Sequence, residues 1–255
     1  MINLYISNLF YRIYRILILL GFKPTNNILL SVRYKFKKYD KNVIYFFHMH
    51  RSAGTSLNYF FSKINKNNKY KIIRFGHSIK PRNINFSNNN KYIFNVRHPL
   101  DLLCSSFNHN KKEEIKKISK YNIKFLSLNF LAENLSSNNN ETKKKAIKAM
   151  SSLKSFNYRL SNFVNINYLI KKPPFHIFNY KDLNSDYRDF CKKISYKKKI
   201  KIRVVYKSLK TNNSNKINLS KLAIKNLKKY LTKDIEIFNY ITKNKKKINS
   251  LQFVN

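Results

Sequence analysis

Val43-Ile44-Tyr45-Phe46-Phe47-His48-Met49-His50-Arg51-Ser52-Ala53-Gly54-Thr55-Ser56-Leu57 is the stretch whose reading decides the fold. Five consecutive apolar β-formers predict a strand buried on both faces, as parallel sheets require. A polar turn over 48–54 follows, and a helical pattern takes over at 55–64. A strand that feeds a helix through a short loop aims backbone N–H groups and the positive helix end at one point, which suits an anion. Ser52, Ala53 and Gly54 are small enough to let the backbone approach an oxyanion, and Thr55 and Ser56 add hydroxyl donors. Arg51 sets a fixed positive charge at the mouth. The loop is not a Walker A sequence, since the spaced glycines and the Gly-Lys-Ser/Thr ending are missing. Taken alone it is equally an ordinary turn between a strand and a helix.

Outward from this stretch the pattern alternates. Strands are predicted at 70–74, 92–96 and 175–180, with a further extended segment at 200–206. Pro99 opens a helix at a position where proline is tolerated. Helical periodicity covers 111–165 with a break near 136–140, then 186–194, then 219–244. Strands separated by helices imply an α/β domain in which a central parallel sheet is flanked by helices, a P-loop-like three-layer arrangement. The organisation expected is a lead-in at 1–40, a main domain at 41–245 and a tail at 246–255. Residues 111–165 form a helical insertion beside the site.

The third strand carries the more specific signal. It runs into Arg97-His98-Pro99-Leu100-Asp101-Leu102-Leu103-Cys104-Ser105-Ser106-Phe107. Arg97 falls at the carboxyl end of a strand, where open α/β sheets bind ligands. Ser105 follows two helical turns later and can approach the same side. A planar guanidinium fork and a neutral hydroxyl suit a terminal phosphate.

These two elements resemble the sulfotransferases that use 3′-phosphoadenosine 5′-phosphosulfate (PAPS), particularly their carbohydrate-modifying branch. Residues 47–57 resemble that family's 5′-phosphosulfate loop, and 97–107 its 3′-phosphate element, with the Arg-to-Ser spacing kept from Arg97 to Ser105. Phe178-Asn179-Tyr180-Lys181-Asp182-Leu183 is similar to the family's late strand, and Tyr206-Lys207-Ser208 to the segment that follows it. The resemblance implies transfer of a sulfuryl group from PAPS to a hydroxyl, with a carbohydrate as acceptor and no metal. It implies cofactor contacts from Arg51, Ser52, Ala53, Gly54, Thr55, Ser56, Arg97, Ser105 and Lys207, and a catalytic charge at Arg51. Three positions depart from the family pattern: Arg51 replaces a lysine, His50 the loop proline, and His98 the acid after Arg97. Arginine stays protonated, so Arg51 can hold charge but cannot donate a proton as an ordinary acid.

His77, in Phe75-Gly76-His77 after the second strand, is the candidate base, because imidazole titrates near neutrality. His48 and His50 are rivals within the loop, and a merely structural role for His77 is the alternative. His98 reads as a helix-start residue. Tyr158 and Arg159 are similar to an acceptor-side segment, although an amphipathic helix explains them equally well.

Composition limits the rest. The 255 residues carry 53 Lys and Arg against 11 Asp and Glu, a net charge of +42 that favours polyanionic partners. The skew toward Lys, Asn, Ile, Tyr and Phe runs the whole length, so it reads as compositional drift rather than a localised nucleic-acid surface. Two cysteines, Cys104 and Cys191, make neither a disulfide framework nor a zinc motif, which fits a reducing, cytoplasmic setting. Near the N-terminus, Leu9, Phe10, Ile13, Ile16, Leu17 and Leu20 recur at helical spacing beside Arg12 and Arg15. That helix either packs on the domain or lies peripherally on a membrane surface. A P-loop nucleotide or sugar kinase and a basic nucleic-acid-binding protein are the rival functions.

Overall fold

The computed structural model describes residues 42–67, 69–75, 80–83, 91–121, 127–197 and 217–250. The expected N-terminal helix and the extended segment at 200–206 lie outside the described residues. The strands are β1 (Val43–Phe47), β2 (Lys71–Phe75), β3 (Lys91–Val96) and β4 (His176–Asn179). In chain order the helices are α1 (Gly54–Asn67), α2 (Pro99–His109), α3 (Lys111–Ser119), α4 (Leu128–Glu133) and α5 (Asn140–Ser152). They continue as α6 (Leu160–Phe163), α7 (Ile166–Lys171), α8 (Leu183–Lys193), α9 (Lys221–Tyr230) and α10 (Thr232–Ser250).

The four strands form one parallel sheet in the order β2-β1-β3-β4. Side chains alternate between its faces, and each face meets its own helices. Ile44, Phe46, Ile93 and Phe178 pack with Leu57, Phe60 and Phe61 of α1 and with Tyr187 and Phe190 of α8. Phe47, Phe94, Val96 and Ile177 pack with Leu160 and Phe163 of α6, Leu169 of α7, and Ile237 and Ile241 of α10. The result is the three-layer α/β fold expected from the alternation of patterns. The ladder extends one residue beyond β4 at each end, since Phe175 N donates to Tyr92 O (2.7 Å) and Tyr180 N to Val96 O (2.9 Å).

A third apolar cluster joins α2, α3, α4, α5 and α9 through Leu103, Phe107, Ile118, Leu131, Met150 and Leu227. Its polar keystone is Glu114, which is fully buried. The carboxylate accepts from the Lys154 and Ser155 backbone N–H groups (2.9 and 2.7 Å) and from the Ser155 hydroxyl. These bonds close the 3-10 turn Lys154–Tyr158, which carries the chain back toward the sheet.

The predicted helix at 219–244 is two helices. Leu231, with φ −98° and ψ 13°, separates α9 from α10. Leu227 and Leu231 belong to the helical cluster whereas Ile237 and Ile241 belong to the sheet face. One straight helix cannot serve both cores, so the chain bends where its allegiance changes. Among the described residues no helix is long and apolar enough to cross a membrane.

Candidate anion-binding site at the sheet switch point

The strand order places β2 on one side of β1 and β3 on the other, so the carboxyl ends of β1 and β3 bound a topological switch point. The loop after β1 lies there, and two buried side chains, His48 and Asn95, hold it. His48 is 5% exposed, and its Nδ1 lies 2.6 Å from Arg74 Nη2 at the end of β2. The His48 ring sits where a Cβ on Gly54 would be, so only glycine fits at that position. The missing Cβ at Gly54 therefore makes room for an imidazole. Asn95, fully buried in β3, accepts from Met49 N (2.8 Å) and donates to the carbonyls of Ser52 and Met49, the latter at 3.4 Å.

The clamped loop holds Arg51 at φ 56° and Ala53 at φ 66°, both left-handed. Each costs on the order of 1–2 kcal/mol for a residue with a Cβ. This twist starts α1: Leu57 N donates to Ala53 O (3.1 Å), which leaves the Gly54, Thr55 and Ser56 N–H groups without an intrahelical acceptor. Ser52 and Ser56 are buried, whereas Thr55 is exposed. The Ser52 hydroxyl donates to His50 O at 3.3 Å.

Arg97 reaches across from the end of β3. Its Nη1 donates to the Arg51 carbonyl (3.1 Å), and its guanidinium lies over the Tyr180 ring at 4.3 Å. The Nε atoms of Arg51 and Arg97 are both buried without a hydrogen-bond partner. Among the described residues neither guanidinium makes an ion pair. Burial and the charge of Arg97 hold the Arg51 pKa below the ordinary guanidinium value, with a smaller opposing pull from Tyr180. Two cations are thus held together, and among the described residues neither has an acid as partner.

Ser105 is half-buried on α2 and makes no hydrogen bond with Arg97 among the described residues. The middle of α2 is nonetheless within electrostatic reach. Burial pushes the Cys104 thiol up to about 11, with Asp101 adding to the shift and Arg97 opposing it. His98 does start α2, its ring edge-on to Phe238 at 5.3 Å, and burial lowers its pKa. Both cysteines are free, Cys191 being buried and Cys104 half-buried. His77 and Lys207 lie outside the described residues.

A small hollow of about 20 Å³ lies beside the loop, lined by Met49, His50, Lys80, Tyr158, Asn162 and others. His50 stacks on Tyr158, with ring centroids 3.9 Å apart and planes 13° from parallel. Arg159 borders the same hollow, but its charge is already met: Nε and Nη2 donate to Asp234 Oδ2 at 2.8 and 2.7 Å. Sequence reasoning missed Asn95 and Tyr180. A lone amide inside an apolar strand was the available signal for Asn95, because a buried amide must find partners. Comparison with known protein families, curated proteins and solved structures returns no match.

Proposed function

We propose that this protein is a sulfotransferase that moves the sulfuryl group of PAPS onto a hydroxyl, a carbohydrate hydroxyl in the first instance. The observation that carries the proposal is the pair Arg51 and Arg97. Both are partly buried at a sheet switch point beside the start of α1, and among the described residues no carboxylate pairs with either. Burying cations unpaired is costly, and a bound anion removes that cost. PAPS brings two anionic groups, which matches two separate cationic anchors.

In this reading the loop and the α1 N–H groups hold the 5′-phosphosulfate, with Ser52, Ala53, Gly54, Thr55 and Ser56 shaping the cradle. Arg97 takes the 3′-phosphate, Ser105 adds a neutral donor, and Lys207 joins from the later segment. Sulfuryl transfer is an in-line displacement that gains most from positioning and fixed charge. Arg51 supplies that charge at the bridging oxygen as it leaves sulfur. Two free thiols fit a reducing compartment, so we assign the enzyme to the cytoplasm, with any peripheral membrane contact made by the N-terminal residues. Nucleic acid is not the partner in this assignment.

The test uses 3′-phosphoadenosine 5′-phosphate (PAP), the product nucleotide, at physiological salt. At about 100 times its dissociation constant PAP should stabilise the fold by roughly 2.7 kcal/mol. ATP with magnesium should do much less, because it lacks a 3′-phosphate. Equal or greater stabilisation by ATP in a thermal melt overturns the proposal in favour of a kinase.

A further inference from the structure

We infer that Lys245 and Asp186 are positioning residues for the anion site: together they fix the turn after β4 that carries Tyr180 to Arg97. The inference rests on the reading of Arg97 as an anion anchor. Among the described residues Arg97 has two supports, the Arg51 carbonyl at 3.1 Å and the face of the Tyr180 ring at 4.3 Å. Tyr180 is 42% exposed, so its ring is aimed by the backbone beneath it rather than by enclosing side chains. What holds that backbone decides where the guanidinium rests.

The turn is bonded at four successive N–H groups. Asn179 N donates to Asp186 Oδ2 (2.6 Å), and Tyr180 N donates to the carbonyl of Val96, the residue before Arg97 (2.9 Å). Lys181 N donates to Asn179 Oδ1 (3.2 Å) and Asp182 N to Asn179 O (3.0 Å). Asp186 lies in the first turn of α8 and is 3% exposed. Its other oxygen, Oδ1, accepts from Lys245 Nζ at 2.8 Å, and the same ammonium reaches Asp182 Oδ2 at 2.7 Å. One lysine of α10 thus ties down both aspartates that hold the end of the turn.

The tie acts through charge. A buried carboxylate is stable only with partners. Burial raises the Asp186 pKa, while the Lys245 ammonium and the Asn179 N–H pull it back. Without the ammonium the carboxyl gains a proton or turns toward water, and the Asn179 N–H loses a charge-assisted acceptor. Tyr180 then samples more positions, and a bound anion must order it again, which weakens binding. Lys245 makes no contact with Arg97 among the described residues, so its influence passes through Asp186, Asn179 and Tyr180. The coupling is reciprocal: an anion that binds Arg97 more tightly when the turn is ordered also stabilises the ordered turn.

A double-mutant cycle in the full chain tests this, with PAP affinity read by calorimetric titration. Lys245→Gln and Tyr180→Leu should each lower PAP affinity roughly 3- to 30-fold. The double variant should be no weaker than Tyr180→Leu, because both changes remove the same platform. Lys245→Arg keeps the charge and should bind PAP within about threefold of the wild type. A merely structural tie would lower thermal stability and leave the affinity of the folded protein unchanged; that result overturns the inference, and so do losses that simply multiply. Should Lys245→Gln fail to fold, amide exchange in the wild type decides. PAP should slow exchange at Asn179 and Asp182 more than at the amides of α5, and equal slowing overturns the inference. Inorganic sulfate separates this inference from the sulfotransferase reading. A wild type that binds sulfate but not PAP ends that reading, and the same cycle run with sulfate then decides the positioning role by the same criteria. A wild type that binds neither removes the anion site, and the inference falls with it.

Discussion

Arg159 and the pair Arg51 and Arg97 solve the same problem in opposite ways. All three guanidiniums are partly buried at the edges of the sheet layers. Arg159 meets Asp234, a fully buried carboxylate that also accepts from Ser161 N at 2.9 Å. Arg51 and Arg97 meet each other, one backbone carbonyl and the Tyr180 ring. In a chain with 53 basic and 11 acidic residues most cations have no acid to pair with, and on the surface water screens them. Inside the fold an unpaired cation costs stability, so an internal carboxylate marks a structural arginine, and in the proposed reading its absence marks a position for an external anion. Composition alone cannot make this distinction, because it depends on where the few acids are placed.

The largest expected effect falls on the paired arginine. Asp234→Asn leaves the partly buried Arg159 without its counter-charge, and breaking one side of a buried pair costs up to about 3–5 kcal/mol. A denaturant titration should show the loss, with PAP affinity in the remaining folded protein unchanged. A loss of PAP affinity equal to that of a cradle variant would erase the contrast between the two arginine sites.

Arg97→Ala comes next and should behave in the reverse sense. Losing a charge-assisted contact costs on the order of 1.5–3 kcal/mol of binding, roughly 10- to 150-fold in PAP affinity. Stability without ligand should fall less than in Asp234→Asn, because relief of repulsion with Arg51 offsets the lost bond to the Arg51 carbonyl. Calorimetric titration with PAP measures the first quantity and unfolding in ligand-free buffer the second. Unchanged PAP affinity in folded Arg97→Ala removes its phosphate role.

The parts of this contrast were unequally legible in the sequence. β1, the loop and α1 could be read because a switch from continuous to helical apolar spacing is a local signal. Arg97 could be placed because a strand end needs no knowledge of the neighbouring strand. Asn95 could not be assigned its task, since its partners Met49 and Ser52 become neighbours only when β3 pairs with β1. The stack of His50 on Tyr158 likewise joins the first loop to the end of the helical insertion, and spacing along the chain says nothing about such a meeting. The bend at Leu231 was hidden because leucine continues a helical pattern, and the reason for the break is the demand of two separate cores. Gly54 was singled out correctly as a place for a small residue, but its neighbour is His48.

The smallest expected effect sharpens the comparison at the level of the backbone. Arg159 occupies φ −62° and ψ 145°, an ordinary extended conformation, while Arg51 and Ala53 occupy the left-handed region at φ 56° and 66°. The paired site is therefore relaxed where the unpaired one is strained, and Asn95, His48 and the Arg97 bond to the Arg51 carbonyl hold the strained form in place. Ala53→Gly removes the Cβ that makes the left-handed conformation unfavourable, at the cost of a freer unfolded chain. The two terms oppose each other, so stability should rise by no more than about 1 kcal/mol. PAP affinity should stay within about threefold, because the clamps that shape the cradle are untouched and a threefold change is less than 1 kcal/mol. Thermal melts of the ligand-free protein read the first effect directly. A clear loss of stability would mean that the Ala53 methyl contributes more through packing than its backbone loses through strain, and the contrast between a strained cradle and a relaxed ion pair would then rest on Arg51 alone.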